Sequence, residues 1–297
     1  MKHIVLACLA PCLLSLGSVA ADRPNIVFTL ADDLGIMDIN AYATRFSGAP
    51  AGKLFYETPH LGRLVSDGIA FSQSYANQLC SPTRAAILSG RIASRLGVTT
   101  ATPNTRTWHN QGMEVPEGSQ PHDAFAHKDK ITTPQAWING HTNTALDPTL
   151  PTLPRVLAPT HTAAFLGKWH LGGHGVSHLQ PGAHGFRELA FCDVGGSTYF
   201  NWQAGWNRRK PFFPTMPGKF RLGQAGPSTG RDYLTDDLSA RACGFIRQQA
   251  AQKEGAKPFL LYYCPFAVHT PIQAPPSTVA RFNKKPQRGL LGHDNAT

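Results

Sequence analysis

Three apolar runs in this chain stop abruptly at charged or histidine residues: PNIVFTLADD (24–33), TAAFLGKWHLGG (162–173) and KPFLLYYCPFAVHTP (257–271). Short apolar runs of this kind, bounded by turn residues, read as strands buried on both faces. Helical patterns lie between them. TPHLGRLVSD reads as a helix over about 58–67, then a turn at Asp67-Gly68 and a short strand. A second helix opens beside Cys80, with Ser81 as N-cap, Pro82 at the first helical position and Gly90 as its stop. A third carries Leu234, Leu238, Ala242, Phe245 and Ile246 on one stripe. Strands interleaved with helices predict an α/β sheet covered on both faces. In open α/β sheets the C-terminal ends of the strands are the usual site edge. Asp32, Asp33, Lys168, His170 and His269 all stand at such ends. The segment 97–155, rich in proline, threonine and asparagine, reads mostly as loop.

With 297 residues, 41% of them hydrophobic and 15% charged, the chain has the material for one large core and lacks a disordered composition. Its start, MKHIVLACLAPCLLSLGSVAA, has a basic residue, an apolar run and small residues at Ala20 and Ala21. That is the pattern of a signal peptide over residues 1–21. The apolar run is short and holds Pro11, so no permanent membrane anchor is expected, and the mature protein is expected to be periplasmic or secreted. Cys8 and Cys12 would leave with the signal; Cys80, Cys192, Cys243 and Cys264 would remain, with no C-x-x-C pair among them. An oxidising compartment admits disulfides without assigning them. Losing Lys2 and no acid takes the net charge from +10 to +9. The basic residues are scattered, as in NRRK (207–210) and RFNKKPQR (281–288), so no nucleic-acid partner is expected. The charge is either a solvated face or a field that steers an anionic substrate.

Each polar residue at the strand ends has two readings. Adjacent carboxylates such as Asp32 and Asp33 repel, and a hard cation with oxygen ligands offsets that cost; acidic pairs are also ordinary turn residues. If the strand stays extended, Lys168 and His170 share a face with Trp169 opposite. Together they suit a tetrahedral anion, with lysine for charge and histidine for proton traffic, or they are simply exposed on a loop. Arg84 follows Cys80 by one helical turn, so its guanidinium can reach back toward a helix start that itself favours anions. His269 alone is an unremarkable loop histidine, and zinc spacing is not present. Tyr199, Trp202, Trp206, Phe212 and Phe213 either stack on a sugar or aryl group or pack a hydrophobic rim.

CSPTRAAILSGR (80–91) resembles the signature of the type I, formylglycine-dependent sulfatases, as found in secreted bacterial arylsulfatase-like proteins. PNIVFTLADDLG, TPHLGRL, GKWHLG and PFLLYYCPFAVHTP resemble the other segments of that family, in order, so the resemblance covers most of residues 23–297. It implies an alkaline-phosphatase-like α/β sandwich with a largely buried mixed sheet. It implies that a formylglycine-generating maturation enzyme is a partner and converts Cys80 to formylglycine (3-oxoalanine). One hydroxyl of the hydrated aldehyde would attack sulfur and release the alcohol; the second would lose its proton and expel sulfate. Asp32, Asp33 and the converted Cys80 would be ligands of a calcium ion. Arg84 would stabilise the deprotonated diol, Lys168 clamp sulfate, His170 act as the base that breaks the ester, and His269 face the bridging oxygen.

The chain departs from the family pattern in one respect. The expected second metal pair, Asp-Asn, and a later lysine are not found; Asp294-Asn295 lacks a preceding strand and is read as unrelated. Residues 22–297 are therefore expected to be the N-terminal part of a catalytic domain truncated at the C-terminus, inactive by themselves. The function implied for the full-length parent is a sulfuric ester hydrolase acting on aryl or carbohydrate sulfates. The alternatives are phosphonate or phosphate ester hydrolysis on the same fold, or an inactive sugar-binding fragment.

Overall fold

The computed structural model describes residues 23–102, 145–172, 179–207, 223–227, 229–252 and 255–285. The elements run β1 (Ile26–Thr29), α1 (Asn40–Ser47), α2 (Pro59–Asp67), α3 (Cys80–Ser89), α4 (Ala93–Leu96), α5 (Leu153–Leu157), β2 (Thr162–Lys168), β3 (Arg187–Cys192), α6 (Trp202–Trp206), β4 (Gly223–Gln224), α7 (Leu234–Ala250), β5 (Phe259–Cys264) and α8 (Pro276–Asn283). The strands form one mixed sheet in the order β1-β5-β2-β3-β4. All pairs are parallel except β3 with β4. The C-terminal ends of β1, β5 and β2 therefore lie side by side.

Strand alternation sorts the core into two layers. Ala164 and Leu166 of β2, with Phe259 and Leu261 of β5, pack against Leu234, Leu238 and Phe245 of α7 and against Trp202 and Trp206. Phe165, Leu260, Tyr262 and Cys264 face the other way, toward Ala85 and Leu88 of α3, Trp169 and Phe186. Each fully buried leucine or phenylalanine contributes roughly 1.5–3 kcal/mol by leaving water. Both faces of the sheet are thus covered over β2 and β5, as their apolar runs predict. At Gly167 (φ 106°) a Cβ would lie 1.9 Å from the Cys264 carbonyl oxygen, so glycine permits the approach of β2 to β5 just before Lys168.

Three local expectations are corrected. β1 is not buried on both faces: Val27 is 50% exposed and Thr29, on the same face, is exposed too, so no described element covers that face of β1. No strand follows Asp67-Gly68. Residues 68–79 have no sheet partner, and Ile69, Phe71 and Tyr75 are exposed. Ser81 is not the N-cap of α3. The helix begins at Cys80, Leu79 takes the cap position without a side-chain cap, and the Ser81 hydroxyl is used elsewhere; Gly90 does end the helix in a left-handed cap. The 1–21 signal, most of the 97–155 segment, Phe212, Phe213 and Asp294-Asn295 lie outside the described residues.

One core contact makes stability depend on pH. His184 is fully buried, with its ring 5.0 Å from that of Trp169, and neither ring nitrogen has a hydrogen-bond partner among the described residues. Burial, aided by nearby Arg155, pushes its pKa down to about 4. Unfolded histidine titrates near 6.5, so between those values the unfolded chain binds more protons. The stabilising effect of neutral His184 is complete above about pH 6.5 and is lost as pH falls toward 4, amounting to about 3 kcal/mol. Urea midpoints at pH 7 and pH 4.5 check this: the wild type is expected to lose more than His184→Phe. Equal losses would show that another group controls acid sensitivity.

Candidate active site

The site assembles where α3 meets the C-terminal ends of β1 and β2. The α3 sequence places Cys80 at the first turn, where free backbone N–H groups and the helix dipole favour negative charge. One turn later Arg84 points inward and is only 3% exposed. Its Nη1 donates to the Lys168 carbonyl at 2.8 Å and its Nη2 to Asp32 Oδ1 at 3.2 Å. The Lys168 ammonium, fully buried at the end of β2, donates to the other oxygen of Asp32. Two buried cations thus share one buried carboxylate, leaving an excess positive charge beside Cys80. Burial pulls the Lys168 ammonium below its usual pKa, against the pull of Asp32.

Lys168 and His170 do come together, though not by strand alternation. β2 stops at Lys168, and His170 adopts a left-handed backbone (φ 52°). Its Nδ1 lies 3.1 Å from Cys80 Sγ. The turn is held by two hydroxyls: Ser81 Oγ and Thr102 Oγ1 donate to the His170 carbonyl at 2.7 and 3.0 Å. Asp33 is likewise left-handed, at φ 58°. Of the three non-glycine residues with positive φ among the described residues, two are therefore candidate site residues, a bias that strained backbone shows at functional positions.

Asp32, Asp33, Cys80 and Arg84 line one cavity of about 240 Å³. Asp33 also borders a second, more apolar cavity of about 510 Å³, walled by Tyr56, Tyr199, Ile272 and Phe282. His269 joins on this side. Its loop is tied to β1 through Asp32 N–H to Ala267 O at 3.0 Å and Val268 N–H to Asp32 O at 2.6 Å. Its Nε2 lies 3.7 Å from Asp33 Oδ2. Its Nδ1 is 2.6 Å from the Thr270 carbonyl, which can only accept, so Nδ1 carries a proton. The Tyr199 hydroxyl donates to the His269 carbonyl at 2.9 Å.

Asp32 and Asp33 suit one side of a calcium shell: they are hard oxygen donors on consecutive residues and border the same cavity as Cys80. They do not form a closed cage. Both oxygens of Asp32 are engaged by Arg84 and Lys168, and among the described residues no three His, Cys, Asp or Glu side chains gather as a metal would require.

Sequence reasoning missed Ser81 as a support of His170, and it missed Thr102 altogether; the Ser81 signal was misassigned to capping. It also missed Cys264, whose buried thiol is pushed up to about 11 by desolvation, with Arg84 opposing. The aromatic residues divide. Trp202 and Trp206 are core residues with no face for sugar stacking, whereas Tyr199, stacked on Tyr233, borders the larger cavity. Cys80, Cys192, Cys243 and Cys264 are all free thiols.

The chain belongs to the sulfatase family: residues 24–289 match the family model described as Sulfatase. It is 33% identical over 277 residues to N-acetylgalactosamine-6-sulfatase of Rattus norvegicus, covering 90% of this chain and 44% of that protein. It is 29% identical over 273 residues to arylsulfatase A of Bos taurus, covering 87% of this chain and 44% of that one. The chain thus spans less than half the length of these relatives. The crystal structure of Ps i-CgsB in complex with k-i-k-neocarrahexaose superposes with a TM-score of 0.60 at 24% identity, over 89% of this chain and 49% of that one. The sheet and its helical layers are those of the alkaline-phosphatase-like sulfatase fold.

Proposed function

We propose that the full-length protein is a sulfuric ester hydrolase, with position 80 as its nucleophile after conversion of Cys80 to formylglycine. The observation that carries this reading is the cluster at the start of α3, where Asp32, Cys80 and Arg84 line one cavity, His170 Nδ1 stands 3.1 Å from Cys80 Sγ and Lys168 pairs with Asp32. The hydrated aldehyde would supply a nucleophile and, in its second hydroxyl, an exit that an ordinary serine lacks. Asp32 and Asp33, with position 80, would hold calcium from one side, and the cation would add positive charge next to the sulfuryl oxygens.

The chain's own groups then divide the work. Lys168 and Arg84 supply buried positive charge for the sulfate, and water exclusion makes that charge count for more than it would at the surface. Arg84 also sits one turn from position 80 and favours its deprotonated form. His170 Nδ1, 3.1 Å from the position 80 side chain, takes the proton of the hydroxyl that expels sulfate. His269 carries a proton on Nδ1 toward Thr270 and turns Nε2 to the Asp33 side, the position proposed to face the leaving oxygen.

Carbohydrate sulfates are the proposed substrate class, with aryl sulfates as the generic probe. The reading is supported by the 33% identity to a protein named N-acetylgalactosamine-6-sulfatase. We further propose a secretion signal at 1–21, a periplasmic or extracellular location, and residues 22–297 as the N-terminal part of the catalytic domain. The test is a substrate panel with full-length protein co-expressed with the maturation enzyme. Sulfated glycans and aryl sulfates are expected to be hydrolysed with higher kcat/KM than phosphonates. Higher kcat/KM on phosphonates would overturn the assignment.

A further inference from the structure

We infer that the consecutive glycines Gly195 and Gly196 form a backbone plate that positions the two site histidines, His170 and His269. They lie in the loop after β3. Neither has a positive φ, so their backbone conformation is open to other residues, and the need for glycine lies in space. A Cβ on Gly195 would stand 2.6 Å from His170 Cε1 and 2.8 Å from His170 Nε2, well inside contact distance. A Cβ on Gly196 would stand 3.3 Å from the Thr270 carbonyl oxygen and 3.5 Å from His269 Cε1. Adjacent Cα atoms are about 3.8 Å apart, so one peptide unit backs both rings.

The backbone on each side of this contact is held in place. The loop is held at both ends: Gln180 donates to buried Asp193 at 3.1 Å, Trp206 Nε1 donates to Ser197 Oγ at 2.8 Å, and Tyr199 N–H donates to Gln273 Oε1 at 2.9 Å. The His170 backbone is fixed in its left-handed turn by Ser81 and Thr102. What can move is the His170 ring, whose Nδ1 must stay beside position 80 for proton transfer. The glycines are thus positioning residues: they touch the imidazoles, not the reacting atoms. Their kinetic consequence rests on the roles proposed above for His170 and His269; the geometric consequence does not.

The test uses full-length protein with labelled histidine rings and compares Gly195→Ala with Gly196→Ala. Gly195→Ala is expected to shift the imidazole NMR signals of His170 while leaving those of His269. Its kcat should fall by about 100-fold at nearly constant KM, the effect of roughly 1 Å of misplacement. Gly196→Ala should move the His269 signals and cost less than about tenfold in kcat, because its closest contact is only slightly tight. Shifted His170 signals in a protein that hydrolyses no sulfate ester would support the positioning role and sink the hydrolase reading. Unchanged His170 signals in Gly195→Ala would overturn the inference. If Gly195→Ala does not fold, the double variant His170→Ala, Gly195→Ala decides. Recovery of folding supports a clash with the ring, and continued failure shows that the loop itself needs glycine.

Discussion

Replacing Cys80 by alanine in the full-length protein is expected to lower kcat by about 10⁴-fold or more, the scale on which losing a covalent nucleophile acts when binding groups remain. Lys168, Arg84 and Asp32 do not depend on the Cys80 side chain for their contacts, so sulfate binding should persist. Cys80→Ser is the more informative variant. Its hydroxyl would stand near His170 and could accept one sulfuryl group, but it has no second hydroxyl to expel it. One equivalent of alcohol should be released and the enzyme should stop as a sulfate ester. Continued turnover by Cys80→Ser, measured by burst and steady-state release of an aryl alcohol, would show that the diol is not required.

The second large effect is on stability. Asp32→Ala would leave the buried Lys168 and Arg84 side by side without their shared anion. Breaking a buried charge cluster from one side costs about 3–5 kcal/mol, since the remaining charge has lost both partner and water. Asp32→Asn keeps the shape and should cost less. Saturating inorganic sulfate is expected to restore part of the loss, because an anion placed between Lys168 and Arg84 replaces the missing charge. Denaturant midpoints with and without sulfate check both statements. A loss below about 1 kcal/mol would mean that the cluster is solvated in the folded protein.

Much of this architecture was legible in the chain. The runs around Val27, Phe165 and Leu261 gave three strands, and the stripe from Leu234 to Ile246 gave the long helix, because burial imposes a period that sequence displays. β3 opens on Arg187 and Glu188 and is buried only over its last three residues, and β4 has two residues, so neither displays such a period. Candidate site residues were visible as polar breaks after apolar runs. Their mutual geometry was not. Alternation put Lys168 and His170 on one face of a strand, whereas the strand ends at Lys168 and a left-handed turn redirects His170. That turn depends on hydroxyls 89 and 68 residues away in the chain, at Ser81 and Thr102, and no local pattern encodes such contacts. Gly195-Gly196 looks like any loop until the histidine rings are seen against it.

The central claim is that hydrolysis passes through a converted residue 80. It is tested most directly by relating rate to conversion. Full-length protein is prepared with graded amounts of the maturation enzyme, and peptide mass spectrometry measures the fraction in which Cys80 has lost about 18 Da, the thiol-to-aldehyde change. Hydrolysis of an aryl sulfate is then plotted against that fraction. The expected result is a straight line through the origin. A rate that is independent of the converted fraction, or an unconverted protein with full activity, would contradict the account.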